Sequence, residues 1–163
     1  MGVRNCSDIG VNAQYIVKRL MANQDLLKLL YYTDKDPLSH EDLTQEQIQN
    51  EIFEKLIKIV PRVGPKETAH SVVVVRISRG RGLVANSEFK NVIISIETFV
   101  PMTQWIIKGT NLRPFAIMGE IQKSLNDKKI EGLGKLTGGD FDLNFLTEEI
   151  SDYEQTFSLT SYD

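Results

Sequence analysis

The chain has 163 residues and a net charge of −3 at pH 7, with 19 Lys and Arg against 22 Asp and Glu. This length suffices for one domain with its own core, and the charge is not typical of chains that bind nucleic acid through a strongly basic balance. The single cysteine, Cys6, excludes an internal disulfide and favours a reducing compartment.

The sequence indicates neither secretion nor membrane insertion. No apolar run approaches the roughly 18 residues of a membrane helix, and MGVRNCSDIG lacks the basic-then-apolar pattern of a signal peptide. We therefore expect a protein made in the cytoplasm, without a membrane partner. We expect a single domain over residues 1–163, with an N-terminal helix and polar linker over 1–40 and an α+β core over 41–163.

Two helices are predicted in the first third of the chain. Apolar residues at helical spacing predict the first over residues 10–32, before the polar segment TDKDPLSHED. Thr44 and Gln47 form a capping-box pattern at the start of the second helix. Its predicted apolar stripe runs from Ile48 to Leu56 and Ile57, and VPRVGP is expected to end it.

The hydrophobic period then changes to that of strands. HSVVVVRIS is rich in β-branched residues, and NVIISIETFV alternates between apolar and polar residues. These runs predict two antiparallel neighbours joined through RISRGRGLVANSEFKN. A connection of about 14 residues is long for a hairpin, where two to five residues are usual. The sequence therefore predicts a long β-hairpin arm.

The remaining segments complete the predicted fold. TQWIIKG is expected either to extend the second strand beyond Pro101 or to begin a third. NLRPFAIMGEIQKSL predicts a helix with Pro114 at its first position. KIEGLGKLTGGDFD predicts a glycine-rich loop with short extended pieces, and DYEQTFSLTSYD predicts a final strand. The fold class is α+β, with a mostly antiparallel β-sheet flanked by helices.

No motif in the sequence predicts catalysis. In GLGKLTGG, Leu136 follows the lysine where a phosphate-binding loop needs Ser or Thr. His40, His70 and the lone cysteine lack zinc-site spacing, and no GxSxG turn frames a nucleophile. We expect a protein that is not an enzyme and has no cofactor, no metal and no small-molecule substrate.

Charge is distributed unevenly along the chain. Between residues 62 and 82 five basic residues stand against one acid, whereas residues 140–163 hold seven acids and no Lys or Arg. Such blocks predict complementary patches that meet within one subunit or between neighbouring ones. The candidate subunit-interface or lumen residues are Arg76, Arg79, Arg81, Glu148, Glu149, Asp152 and Glu154.

The arginine arm lacks the signature of a nucleic-acid reader. Single-strand binding favours aromatic side chains among the basic ones, and the nearest aromatic here is Phe89. Arginine is also well suited to bidentate pairing with carboxylates of a partner protein. Protein–protein pairing is therefore the first interpretation, and phosphate binding by the basic loop 76–82 is the alternative.

The order of elements resembles a known group of proteins. WIIKGTNLRPFAIMGEIQKSLNDKKIEGLGKL, followed by DYEQTFSLTSYD, is similar to neck proteins of tailed bacteriophages, the tail-terminator or head-to-tail joining subunits. The similarity extends over residues 48–163. Residues 78–91, with Arg79 and Arg81, stand where these proteins have hairpin loops that contact neighbouring subunits or the tail tube.

The resemblance implies a structural role in the virion neck. It implies a homo-oligomeric ring, commonly a hexamer, that has no active site and is assembled in the host cytoplasm. Such a ring caps the tail tube and joins it to the head–tail connector or adaptor protein, and genome DNA passes through its lumen without specific binding. The alternative is a small cytosolic nucleic-acid-binding or regulatory protein that uses the basic loop 76–82.

Overall fold

The structure, a computed structural model, describes residues 6–59, 69–82, 89–109, 111–130 and 134–160. In these ranges it has four helices and six strands. The helices are α1 (Cys6–Met21), α2 (Gln24–Tyr31), α3 (Gln45–Gln47) and α4 (Arg113–Leu125). The strands are β1 (Ile57–Lys58), β2 (Val72–Gly82), β3 (Phe89–Pro101), β4 (Lys129–Ile130), β5 (Gly134–Leu146) and β6 (Ile150–Thr160).

The strands form one sheet in the order β1-β2-β3-β6-β5-β4. Only the β1–β2 pair is parallel among the described strands, and the other neighbours are antiparallel. Buried side chains of α1, α2 and α4 pack with those of the sheet in one hydrophobic cluster, which includes Ile16, Leu27, Ile117, Ile96 and Phe157. The predicted α+β class with a mostly antiparallel sheet is confirmed, and the single-domain assignment stays a prediction.

The first predicted helix is in fact two helices. The helix is interrupted between Met21 and Gln24. Asn23 caps α2 there, because its side chain accepts a hydrogen bond from the Leu26 backbone N–H at 3.1 Å. The Asn23 amide also donates to Ser124 Oγ of α4 at 2.9 Å. The prediction of a single helix over residues 10–32 was therefore wrong. The polar side chain of Asn23 lies near the middle of that range and bonds to the start of α2 and to α4.

The second predicted helix begins as expected and ends early. Thr44 and Gln47 form both hydrogen bonds of the capping box, and a π-helical turn over Ile48–Ile52 continues α3. Leu56 and Ile57 follow the helix, and Ile57 begins β1, so the predicted stripe was too long. The VPRVGP stretch lies outside the described residues.

The strands of the hairpin run well into the predicted arm. β2 continues to Gly82 and β3 begins at Phe89, with register shifts between Ile77 and Arg79 and between Arg79 and Arg81. The predicted connection of about 14 residues was therefore longer than the one found. Residues 83–88, which lie outside the described ranges, separate the two strands. The basic segment is a bulged part of the sheet for most of its length.

Two later segments also differ from expectation. After Pro101 the chain forms a 3₁₀ turn over Met102–Gln104, so TQWIIKG neither extends β3 nor begins another strand of the sheet. The segment predicted as a glycine-rich loop with short extended pieces contains the short β4 and the beginning of β5, which is a long strand of 13 residues. At the β5 bulge Gly138 has φ +134°, and a Cβ there would lie 2.7 Å from the Thr156 carbonyl oxygen, so the bulge requires glycine.

Arg113, at the start of α4, joins three parts of the fold. Its side chain is fully buried and donates to the backbone carbonyl oxygens of Leu29, Tyr32, Asp34 and Gln104, at 2.6 to 2.8 Å. The Leu29 carbonyl belongs to the last turn of α2, which has no further helical partner. Arg113 therefore fixes the end of α2 against α4.

Candidate functional site

Three of the predicted interface residues, Arg76, Asp152 and Glu154, lie together on one face of the sheet. Gln155 of β6 donates to the Met118 carbonyl oxygen of α4 at 3.1 Å, so odd-numbered positions on β6 point towards α4. Neighbouring residues of a strand point to opposite faces, so Asp152 and Glu154 lie on the other side, here called the outer face. Arg76 of β2 and Glu97 of β3 share this face with them.

Arg76 lies among several carboxyl groups on the outer face. Its Nη2 donates to Glu97 Oε1 at 2.5 Å and lies 3.7 Å from Glu154 Oε1. Asn144 of β5 donates to Asp152 Oδ2 at 3.0 Å and lies 3.5 Å from Glu97 Oε1. One arginine and one amide thus partly compensate three carboxyl groups.

Burial changes the titration of the two deeper acids. Burial raises the pKa of Glu97, and the Asp152 carboxyl raises it further, although Arg76 opposes the shift. Burial also raises the pKa of Asp152, against the hydrogen bond from Asn144. Asp152 is 2% exposed, and its Oδ1 has no hydrogen-bond partner among the described atoms. The ion pair and hydrogen bonds of the cluster therefore offset only part of the desolvation cost of its charged carboxyl groups at neutral pH.

The structure brings together only part of the predicted set. Arg76, Asp152 and Glu154 lie in one cluster, so some of the basic and acidic charge meets within a subunit. Arg79 is exposed on β2 opposite Ile93, nearer the end of the hairpin. The Arg81 backbone pairs opposite Lys90, and its side chain lies outside the described part of the structure.

Glu148 and Glu149 lie apart from the arginines. They occupy the exposed turn between β5 and β6, beside Ile150, which pairs with Pro101. Arg79 is in the row of Ser158, eight residues further along β6, or about 26 Å at roughly 3.3 Å per residue. Arg79 therefore cannot contact Glu148 or Glu149 of the same subunit.

Two further acids complete a charge gradient across the outer face. Asp140 pairs opposite Thr156 and Asp142 opposite Glu154, and both aspartates are exposed on β5. Three strand spacings separate β5 from β2, about 14 Å. The outer face thus changes from basic at β2 to acidic at β5.

Apolar side chains surround the acidic part of β5. Phe141 contacts Phe115 of α4 and Tyr153 of β6, with ring centroids 6.1 and 6.2 Å apart. Phe141 and Phe145 are nevertheless 54% and 44% exposed. Sequence reasoning missed these residues because β5 was expected to begin as a loop; the alternation of Phe141, Leu143 and Phe145 with polar residues was the signal available.

Other kinds of site have less support in the described ranges. No group of three or more His, Cys, Asp and Glu residues there is arranged to hold a metal ion. None of the helices described is long and apolar enough to cross a membrane.

Comparison with protein families identifies the chain. The sequence profile of the YomW family matches residues 23–157, most of the chain and nearly all of its strands. The chain belongs to the YomW family. This family is phage-derived, of the SPbeta type, which agrees with the phage relationship predicted from the sequence. Comparisons of this YomW-family chain with curated proteins and with solved structures found no match.

Proposed function

We propose that this YomW-family chain is a structural, non-enzymatic subunit of a tailed-phage neck, most specifically a tail terminator. In this proposal it forms a homo-oligomeric ring, a hexamer by the resemblance, that caps the tail tube and joins it to the head–tail connector. Genome DNA passes through the lumen without sequence-specific binding. Membership of a phage-derived family supports the viral part of the proposal.

The observation that carries the proposal is the charge gradient across one sheet. Arg79 lies on the β2 side, Asp140 and Asp142 on the β5 side, and β3 and β6 hold these sides about 14 Å apart. A surface whose two sides are complementary to each other, and not to themselves, suits a heterologous contact that is repeated around a closed ring. Such complementarity sets the register and speeds association.

The turn with Glu148 and Glu149 is proposed to make a different contact from that of the charge gradient. It lies at one end of the strands, whereas the charge gradient runs across them. We assign this turn to an axial contact of the ring with the tail tube or the connector. Arg81 is assigned with Arg79 to the contact between subunits or to the lumen.

The purified chain tests the proposal against its alternative. We expect mass photometry and negative-stain imaging to show rings, either of the chain alone or after addition of tail tubes. Fluorescence anisotropy with duplex and single-stranded oligonucleotides at about 150 mM salt should show weak binding without sequence preference. A persistent monomer that binds a defined oligonucleotide tightly would favour the nucleic-acid-binding alternative with loop 76–82 and overturn the neck proposal.

A further inference from the structure

Two long strands of the sheet have edges without a strand partner in the described structure. β4 pairs with β5 only at Gly134 and Lys135, and β1 pairs with β2 only at Val73 and Val74. Hydrogen bonds with residues 126–128 cover the same side of β5 as far as Gly138. This leaves Asp140–Leu146, the β5 edge, and Val75–Gly82, the β2 edge.

The β5 edge has few of the features that protect natural edge strands. It contains no proline and no lysine, and Phe141, Leu143, Phe145 and Leu146 are all exposed. A bulge between Leu143 and Phe145 interrupts it, which leaves the regular run from Asp140 to Leu143. An apolar edge of this kind is a template for pairing with another strand.

The β2 edge has the complementary chemistry. It carries Arg76 and Arg79 on the outer face, where the β5 edge carries Asp140 and Asp142. The two edges lie on opposite sides of the sheet. A second copy of this chain therefore supplies both the missing strand and the missing charge for each edge.

We infer that the β5 edge of one copy pairs with the β2 edge of the next copy, so that the sheets of the ring join edge to edge. The inference rests on the proposed ring and names the contact that closes it. In the described sheet β2 and β5 run in opposite directions, because β3 and β6 between them alternate. Rotation about a ring axis preserves the direction of each strand along that axis, so the new pair is antiparallel.

The short strands restrict the register of this contact. Asp140 lies in the same row as Arg76, and β1 already occupies the edge of β2 at Val73 and Val74. The regular run of β5 therefore meets β2 only if neighbouring copies are staggered along the strands. Closure of a sheet into a barrel requires such a stagger.

Cysteine cross-linking tests the contact directly. In a Cys6→Ser background, which removes the native thiol, Arg79→Cys is combined with Asp140→Cys or with Asp142→Cys. After oxidation with diamide or treatment with a short bismaleimide, we expect a ladder of covalent oligomers up to the full ring for at least one pair. The matched control combines Arg79→Cys with Glu41→Cys, an exposed residue that belongs to neither edge strand, and should give no ladder.

Charge reversal provides a second readout. Arg79→Glu and Asp142→Lys should each raise the concentration needed for ring formation by about tenfold or more, and the double variant should recover part of the loss. Lys35→Glu, at an exposed site, is the control and should assemble normally.

The outcomes separate this inference from the proposed function. Rings without a ladder, or without any effect of the charge reversals, would overturn the edge pairing and leave the neck proposal standing. Covalent dimers of the single variant Asp142→Cys would show symmetric β5–β5 pairing and would also overturn the inference. Absence of any ring, alone or with tail tubes, would count against the proposed function itself.

Discussion

Arg76 on β2 and Glu97 on β3 form an ion pair along a diagonal of the sheet. Arg76 pairs opposite Ser95, and Glu97 opposite Val74, yet Arg76 Nη2 lies 2.5 Å from Glu97 Oε1. The Glu97 side chain is only 13% exposed. Arg76 is therefore partly neutralised within the subunit, whereas Arg79 is exposed and is the residue that we assign to the proposed contact.

Removal of Arg76 should destabilise the fold. Arg76→Gln leaves the mostly buried Glu97 without its cation, so we expect the free energy of unfolding to fall by about 1–3 kcal/mol. Urea denaturation at neutral pH measures this change. Glu97→Gln in the same background should restore part of the loss. Unchanged stability of Arg76→Gln would mean that the pair contributes nothing to folding.

The buried carboxyl group of Asp152 should make the stability of the fold depend on pH. Because burial raises the folded-state pKa of Asp152 above its ordinary value of 3.8, the folded state binds the proton more tightly than the unfolded state. The cost of the charged form is therefore absent below the unfolded pKa and appears as the pH rises through the folded pKa. In the described part of the chain, the charged groups that interact with Asp152 are Arg76, Glu97 and Glu154.

Asp152→Asn removes this titration and keeps the size of the side chain. We expect the variant to have the higher Tm at pH 7, by about 2–4 °C for each 1 kcal/mol recovered, and the advantage to shrink towards pH 4. Calorimetry between pH 4 and pH 8 checks this, with Glu41→Gln at an exposed site before α3 as the control. A constant difference across this range would show that Asp152 does not carry the pH dependence.

Arg113 should be among the most sensitive positions in the fold. Arg113→Met leaves buried carbonyl oxygens of Leu29 and Gln104 without a donor, at about 1–3 kcal/mol for each unsatisfied group. Burial lowers the pKa of Arg113 while Asp34 opposes the shift, and an arginine stays charged in proteins. We expect a Tm at least several degrees lower, measured by thermal denaturation, and Arg113→Lys should recover only part of the loss. A Tm of Arg113→Met equal to that of the wild type would contradict this role.

Two glycines provide a matched pair of substitutions. Gly138→Ala places a Cβ 2.7 Å from the Thr156 carbonyl oxygen at φ +134°, so we expect a loss of about 1–3 kcal/mol from the strained bulge. Gly119 lies within α4, and apart from its own helix backbone and chain neighbours nothing lies within 4 Å of an added Cβ, so Gly119→Ala should gain about 0.5–1 kcal/mol. Equal effects in chemical denaturation would show that the bulge does not need glycine.

Regular hydrophobic patterns predicted the elements that local sequence determines. α4 has its apolar stripe and Pro114 near its start, and β3 alternates along most of its length. Only short extended pieces were predicted where the long β5 lies, because Gly138, Gly139 and Asp140 have the composition of a loop. Its strand conformation comes from a partner distant in the sequence, since β6 pairs with it from Lys135 to Leu146.

The candidate site was predicted only in part for a similar reason. The excess of acids after residue 140 contained Asp152 and Glu154, and the arginine run contained Arg76, which the structure brings into one cluster; their role at an interface stays a prediction. Their closest partner, Glu97, is 21 positions from Arg76 and was visible only as a polar residue of an alternating strand. The distance between Arg79 and Glu148 follows from the pairing register of β2, β3 and β6, which local patterns do not determine.

Deletion of the gene from a phage that encodes this chain tests the neck assignment most directly. If the chain caps the tail and joins it to the connector, electron microscopy of the lysate should show DNA-filled heads and separate tails. Supply of the wild-type gene in trans should restore joined particles, and gold-labelled antibody should mark their necks. Normal, joined and infectious particles from the deletion lysate would contradict the account.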